Sequence, residues 1–224
     1  MMRDEGAKIL ITGTGRSGTH FTSKVLQKLG MDMPHERMGV DGTVSWKHIR
    51  GGRFEVVGKG RVQEVCDSCF STVLHQVRHP LKVISSMQTF GISSWTYMEK
   101  FIDLDLDAPP LIKGMQGWVQ WNELVEEKAV WRFQIEQIAV VFDQLCYHCG
   151  IPDQTMPAIP REGRDSRSKR YKPISWLDLR KADLSLASQV QEKASLYGYG
   201  DIATSPIQKS THKRKWFRCR KGGG

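Results

Sequence analysis

The feature that most constrains this chain is a glycine-rich turn within residues 9–21 (ILITGTGRSGTHF). Residues 9–11 predict a buried strand, and the segment that begins near Gly18 predicts an amphipathic helix. Gly13 and Gly15 free the backbone between these two elements to curl. A strand–loop–helix junction of this kind points several backbone N–H groups and a helix dipole at one place. The segment therefore predicts an anion-binding site.

The loop differs from the phosphate-binding loop of nucleoside triphosphatases in its cation. That loop has the pattern GxxxxGK[ST]. Gly13 and Gly18 have its spacing, but Thr19 stands where the lysine is expected, and the cation of this loop is Arg16. The loop alone therefore leaves the identity of the anion open.

Composition indicates one soluble domain with an excess of positive charge. The chain has 224 residues, of which 39% are hydrophobic and 25% charged, and its net charge is +9. Such a charge favours an anionic ligand or surface, although much of it lies in residues 161–172 and 212–221. We expect one domain over residues 1–205 and a basic, disordered tail over residues 206–224.

The N-terminal residues predict no secretion signal, and no apolar run is long enough to cross a bilayer. We therefore expect a cytoplasmic protein without a membrane span. Two CxxC pairs, Cys66 with Cys69 and Cys146 with Cys149, leave a zinc site, disulfides or free thiols open. The wide separation of the pairs disfavours a shared zinc site, and Cys146 and Cys149 lie at the end of a predicted helix, where buried free thiols are common.

The hydrophobic pattern alternates strands and helices along the chain. Predicted strands cover residues 8–12, 54–57, 73–77 and 131–136. Predicted helices cover residues 18–29, 81–90, 114–130, a segment ending at 145, a short turn capped by Ser175, and 184–197. Residues 31–53 and 153–173 have no regular pattern. The alternation predicts an α/β protein with a P-loop-like three-layer fold, in which helices cover both faces of a parallel sheet.

A second strand–helix junction lies in residues 73–86 (VLHQVRHPLKVISS). The predicted strand ends at Arg78, a helix begins near Pro80, and Ser86 follows two turns later. Ligands of parallel sheets bind at the carboxyl ends of the strands, so Arg78 lies beside the glycine loop if the two strands are neighbours. Taken alone, the simpler interpretation is that Arg78 pairs with a carboxylate and that Ser86 is exposed. Together with the loop, the two residues favour a second phosphate contact.

These two segments resemble the cofactor motifs of sulfotransferases that use 3′-phosphoadenosine 5′-phosphosulfate (PAPS). GTGRSGTHF resembles the loop that holds the 5′-phosphosulfate, and Arg78 and Ser86 have the spacing of the 3′-phosphate motif. WRFQIEQI (131–138) and SLYGYG (195–200) also resemble segments of bacterial-type members, so the resemblance touches most of residues 8–200. It implies a PAPS-dependent transferase that releases 3′-phosphoadenosine 5′-phosphate (PAP) and requires no metal ion.

The resemblance and the chemistry of sulfuryl transfer together assign roles to the loop. The transfer is an in-line displacement for which cations and N–H donors suffice. The guanidinium of Arg16 is our candidate for stabilising the leaving phosphate, because it can hold two oxygens at once. The implied donor-binding residues are Gly15, Arg16, Ser17, Gly18, Thr19, His20, Arg78, Ser86 and, in a late basic loop, Ser168.

The acceptor hydroxyl or amine loses a proton as it attacks, so a general base is expected. Glu36 matches the glutamate base of tyrosylprotein and glycan sulfotransferases, and an ion pair with Arg37 is its simpler interpretation. His48 is the alternative base, because cytosolic-type members use histidine. We expect the side chain of His35 to point away from that of Glu36 if the chain is extended there.

The acceptor itself is expected to be a small molecule or a glycan, and no specific nucleic-acid partner is indicated. Trp46 is a candidate for lining the acceptor pocket. Two other functions stay open, a nucleotide kinase or NTPase with a degenerate loop and a nonenzymatic polyanion-binding protein. The missing lysine at Thr19 disfavours the first, and the lack of an aromatic-interleaved basic stripe disfavours the second. The oligomeric state is not predicted.

Overall fold

The computed structural model describes residues 8–50, 52–56, 61–65, 69–158 and 171–200, with only the backbone for 52–56 and 61–65. The predicted tail at 206–224 lies outside the described residues. So do Ser168 and most of the basic segment 161–172.

The central element is a sheet of four parallel strands. These strands are β1 (Lys8–Thr12), β2 (Gly42–Val44), β5 (Phe70–Val77) and β6 (Trp131–Gln134). Their order across the sheet is β2-β1-β5-β6. The other two strands, β3 (Gly52–Val56) and β4 (Arg61–Val65), form a separate antiparallel pair. The predicted α/β class is confirmed.

Helices connect the strands and pack around the sheet. They are α1 (Thr19–Lys28), α2 (Pro80–Met87), α3 (Ile92–Glu99), α4 (Pro110–Glu126), α5 (Phe142–His148), α6 (Trp176–Ala182) and α7 (Leu184–Ala194). Among the residues that the structure describes, no helix has both the length and the apolarity needed to cross a membrane.

The alternating side chains of β1 divide the core between the two faces of the sheet. Leu10 belongs to a cluster with residues of α2, α4 and α7, whereas Ile9 and Ile11 belong to a cluster that includes Leu26 of α1 and Leu145 of α5. Both faces of the sheet are therefore covered by helices, which gives the predicted three layers.

Several predicted boundaries are wrong for local reasons. The segment 31–53 contains β2, whose three buried residues are too few to show a period. The predicted strand 54–57 belongs to the antiparallel pair and not to the central sheet. The helix predicted at 114–130 is α4, which begins at Pro110 because proline suits the first turn of a helix. Helix α3 was not predicted, since its serines and exposed Ile92 blur the apolar stripe.

The helix predicted at 184–197 loses its α-helical form after Ala194. A π-helical turn, Ser195–Tyr199, follows, and within it Gly198 has a non-helical φ of 79°. The side-chain amide of Gln134 donates to the carbonyl of Tyr197 over 2.5 Å, so this turn packs against the end of β6. The chain segment 195–199 thus lies beside the carboxyl edge of the sheet.

The second CxxC pair consists of buried free thiols at the end of α5. Burial raises the pKa of Cys146 to about 11 and that of Cys149 to about 12, which keeps both protonated. Cys69 is disulfide-bonded, which is one of the alternatives that the sequence leaves open, and Cys66 lies outside the described residues.

Two buried histidines predict that the fold loses stability in acid. His75 on β5 contacts the side chain of Asn122 over 3.0 Å, and burial lowers its pKa from 6.5 to about 4. Burial likewise lowers the pKa of His48 to about 4. Both residues take up protons more readily in the unfolded chain, so the free energy of unfolding should fall as pH drops from about 6.5 to about 4.

Urea unfolding at about pH 7 and about pH 4.5 measures this loss. The variant His75→Gln should show a smaller difference between the two conditions, because glutamine does not titrate. A difference as large in the variant as in the natural chain would contradict a role for His75.

Candidate active site

A cavity of about 790 Å³ lies at the carboxyl ends of the four parallel strands. This is the edge at which parallel sheets bind ligands, and the volume is typical of ligand sites. Each strand is followed directly by residues that line it. These residues are Gly15 and Arg16 after β1, Trp46 and Lys47 after β2, Arg78 after β5, and Ile135 and Glu136 after β6.

The glycine loop is fixed by the side chain of Gln76 on the neighbouring strand β5. The Gln76 amide donates to the carbonyl of Ser17 over 2.8 Å and accepts from the hydroxyl of Thr22 over 2.5 Å. A Cβ at Gly13 would lie 2.0 Å from the carbonyl oxygen of Gln76, so only glycine allows this approach. Gly18, at a φ of 99°, then leads into α1.

Arg16 lies in the loop with a φ of 74°, in the left-handed region that side chains rarely adopt. Its guanidinium lies 4.8 Å from the centroid of the Phe90 ring, and one of its nitrogens is 3.4 Å from the hydroxyl of Thr89. These contacts hold the charge against an aromatic wall of the cavity.

Arg78 lies next to the loop, since β1 and β5 are neighbours in the sheet. Its guanidinium donates to the carbonyl of Arg16 over 3.1 Å. Ser86, two turns along α2, is 4% exposed and also lines the cavity. The two residues of the predicted 3′-phosphate motif therefore face the same cavity as the glycine loop.

Glu36 lines the cavity from the segment that precedes β2. The indole N–H of Trp46 donates to its carboxylate over 2.8 Å, and the ammonium of Lys47 is 3.6 Å from the other oxygen. The carboxylate side chain remains 32% exposed. It is therefore oriented by two partners while still open to solvent.

The expectation that His35 points away from Glu36 is wrong. Glu36 has a φ of 53°, so the chain is not extended there and both side chains line the cavity. A ring nitrogen of His35 is 3.0 Å from the hydroxyl of Thr19, and burial lowers the pKa of the imidazole. His35 thus links the loop to the segment that carries Glu36.

The remaining predicted residues are placed as follows. His48 is 2% exposed and does not line the cavity, and burial lowers its pKa to about 4. Ser17 is buried within the loop, and Ser168 lies outside the described residues. The residues of the loop and α1 that line the cavity are Gly15, Arg16, Gly18, Thr19, His20 and Phe21.

Five charged or aromatic residues that line the cavity were not predicted as site residues, namely Phe21, Lys47, Lys82, Phe90 and Glu136. Lys82 had a visible signal, because it lies four residues from both Arg78 and Ser86. Lys47 and Glu136 become recognisable only when the ends of β2 and β6 are known.

The lining combines several cations with oriented carboxylates, an arrangement suited to binding a polyanion and accepting a proton. Among the described residues, no cluster of three or more His, Cys, Asp or Glu side chains is arranged to hold a metal ion. No model of a known protein family matches the chain, and no curated protein is significantly similar to it.

The positive φ of Glu36 predicts an unusual order of variant stabilities. Glu36→Ala and Glu36→Gly lose the same side-chain contacts, but only glycine adopts this φ without strain. We expect the free energy of unfolding, measured in urea, to be about 1 kcal/mol lower for the alanine variant than for the glycine variant.

The matched control is Glu192, which is exposed on α7. There the order should reverse, with alanine about 1 kcal/mol more stable than glycine, because the backbone is helical. The same order at both positions would contradict strain at Glu36.

Proposed function

We propose that this protein is a sulfotransferase that moves the sulfuryl group of PAPS to a hydroxyl or amine acceptor. The observation that carries the proposal is the convergence of the glycine loop, Arg78 with Ser86, and Glu36 on one cavity. These three groups are the parts that the resemblance assigns to the 5′-phosphosulfate, the 3′-phosphate and the general base.

The 5′-phosphosulfate fits the glycine loop at the start of α1, where backbone N–H groups and the helix dipole favour an anion. Among the described residues, Nε of Arg16 and Oγ of Ser17 are buried without a hydrogen-bond partner. Such unsatisfied atoms are uncommon in folded proteins, and an anion in the loop would supply acceptors nearby. Arg16 is then the cation for the leaving phosphate.

The 3′-phosphate fits beside Arg78 and Ser86 at the start of α2. A guanidinium and a hydroxyl together supply charge and hydrogen-bond donors to a phosphate. Arg78 also donates to the carbonyl of Arg16 over 3.1 Å, so a hydrogen bond joins the two proposed phosphate subsites.

In the reaction that we propose, a lone pair of the acceptor forms a bond to sulfur as the bond from sulfur to the bridging oxygen breaks. That bond's electron pair leaves with PAP, whose 5′-phosphate is stabilised by Arg16. Glu36 accepts the acceptor's proton, and Trp46 with Lys47 holds the carboxylate in place.

Replacing Arg78 tests the 3′-phosphate subsite. We expect Arg78→Ala to weaken binding of PAP by about 10- to 100-fold, because a charge-assisted hydrogen bond to phosphate is lost. Binding of adenosine 5′-monophosphate, which lacks the 3′-phosphate, should change about twofold or less. Titration calorimetry with both nucleotides makes the comparison.

The exposed Arg180 on α6 provides the matched control, because Arg180→Ala removes the same charge away from the cavity. This substitution should weaken the binding of neither nucleotide. Equal losses for the two nucleotides in Arg78→Ala would remove Arg78 from this subsite.

Replacing Glu36 tests the general base. Glu36→Gln keeps the size of the side chain but cannot accept the proton, so turnover with PAPS should fall by about a hundredfold or more. The affinity for PAP should stay unchanged, because the donor contacts the loop and α2. Transfer of labelled sulfate measures turnover. Near-normal turnover would overturn this role and direct attention to His35, which lines the cavity.

A further inference from the structure

Helix α2 presents one more cation to the cavity than the resemblance accounts for. Lys82 and Ser86 lie four residues apart on this helix, Arg78 precedes the helix, and all three residues line the cavity. Lys82 has a half-exposed side chain, 52% exposed, and its long stem can reach more than one partner. In the sequence it lies between the two residues assigned to the 3′-phosphate.

We infer that Lys82 is a third ligand of the 3′-phosphate and that it exchanges the carboxylate of Glu136 for the phosphate when the donor binds. The inference rests on the proposed function. In the structure, the ammonium of Lys82 is 3.3 Å from an oxygen of Glu136. Both side chains line the cavity, so a phosphate held by Arg78 competes with this carboxylate for the same cation.

The exchange costs little free energy because Glu136 keeps its other hydrogen-bond partners. The hydroxyl of Tyr199 donates to one of its oxygens over 2.8 Å, and the backbone N–H of His79 donates to the other over 3.2 Å. A carboxylate with two remaining donors is not left unsatisfied when the lysine leaves.

Glu136 also stays ionised in this environment. Burial alone would raise its pKa, but the hydrogen bond from Tyr199 and the charge of Lys82 outweigh it and lower the pKa overall. A fixed negative charge on the cavity wall repels a phosphate unless a cation lies between them. After the exchange, the ammonium of Lys82 lies between the two anions and offsets their repulsion.

A purely structural ion pair between Lys82 and Glu136 makes a different prediction. Exposed pairs contribute little to stability, and their loss does not distinguish between nucleotides that differ by one phosphate. The ratio of the affinities for PAP and for adenosine 5′-monophosphate is therefore the informative quantity.

The test is titration calorimetry of both nucleotides with the full chain and its Lys82→Gln variant. We expect Lys82→Gln to weaken PAP binding about five- to tenfold, in line with loss of a flexible charged contact, and to leave monophosphate binding within about twofold. Lys82→Arg should restore the preference for PAP. Lys181→Gln, which removes an exposed lysine of α6 outside the cavity lining, should leave both affinities unchanged.

The outcomes distinguish a failure of the role inferred for Lys82 from a failure of the proposed function. The natural chain could prefer PAP while Lys82→Gln weakens the binding of both nucleotides equally, or of neither. In that case Lys82 is not a phosphate ligand and the proposed function stands. If the natural chain shows no preference for PAP, both are overturned. Thermal unfolding of each variant shows whether a loss of binding reflects a loss of fold.

Discussion

The interaction on which the site depends is the contact of the Gln76 side chain with the glycine loop. This buried amide on β5 donates to Ser17 and accepts from Thr22, so it fixes both the loop and the first turn of α1. It also places the loop against the strand that ends at Arg78. The hydrogen bond from Arg78 to the carbonyl of Arg16 then joins the two junctions directly.

Strain in the backbone is concentrated at the same place. Among the described residues, three that are not glycine have a positive φ, and two of them are Arg16 and Glu36. Such conformations cost about 1 to 3 kcal/mol each and cluster at functional sites. In this chain they turn a guanidinium and a carboxylate toward one cavity, where regular strand geometry would have sent neighbouring side chains to opposite sides.

The parts of the site that could be predicted from sequence are those marked by glycine, proline and apolar runs. The loop after β1 and the junction at Arg78 were recognisable because each follows a strand with a clear pattern. Strand β2 carries too few residues for a period, so Lys47 was missed. Strand β6 ends at Gln134, earlier than predicted, so Glu136 was placed inside the strand and was missed as a cavity residue. The position of His35 depends on the φ of Glu36, which no local residue pattern indicates.

The charges around the cavity explain how one wall can serve a polyanion and a proton acceptor. Arg16 and Arg78 lie at the ends of neighbouring strands, whereas Glu36 is oriented by Trp46 and Lys47 on the segment around β2. The nucleotide that we propose as donor carries phosphates at two positions, one for each of these arginines.

The most direct measurement is therefore titration calorimetry of the natural chain with PAP and with ATP plus magnesium. We expect PAP to bind more tightly than ATP, and its binding should not need magnesium. A preference for ATP with dependence on magnesium would contradict it, and would favour a nucleotide kinase or NTPase whose loop lacks the usual lysine.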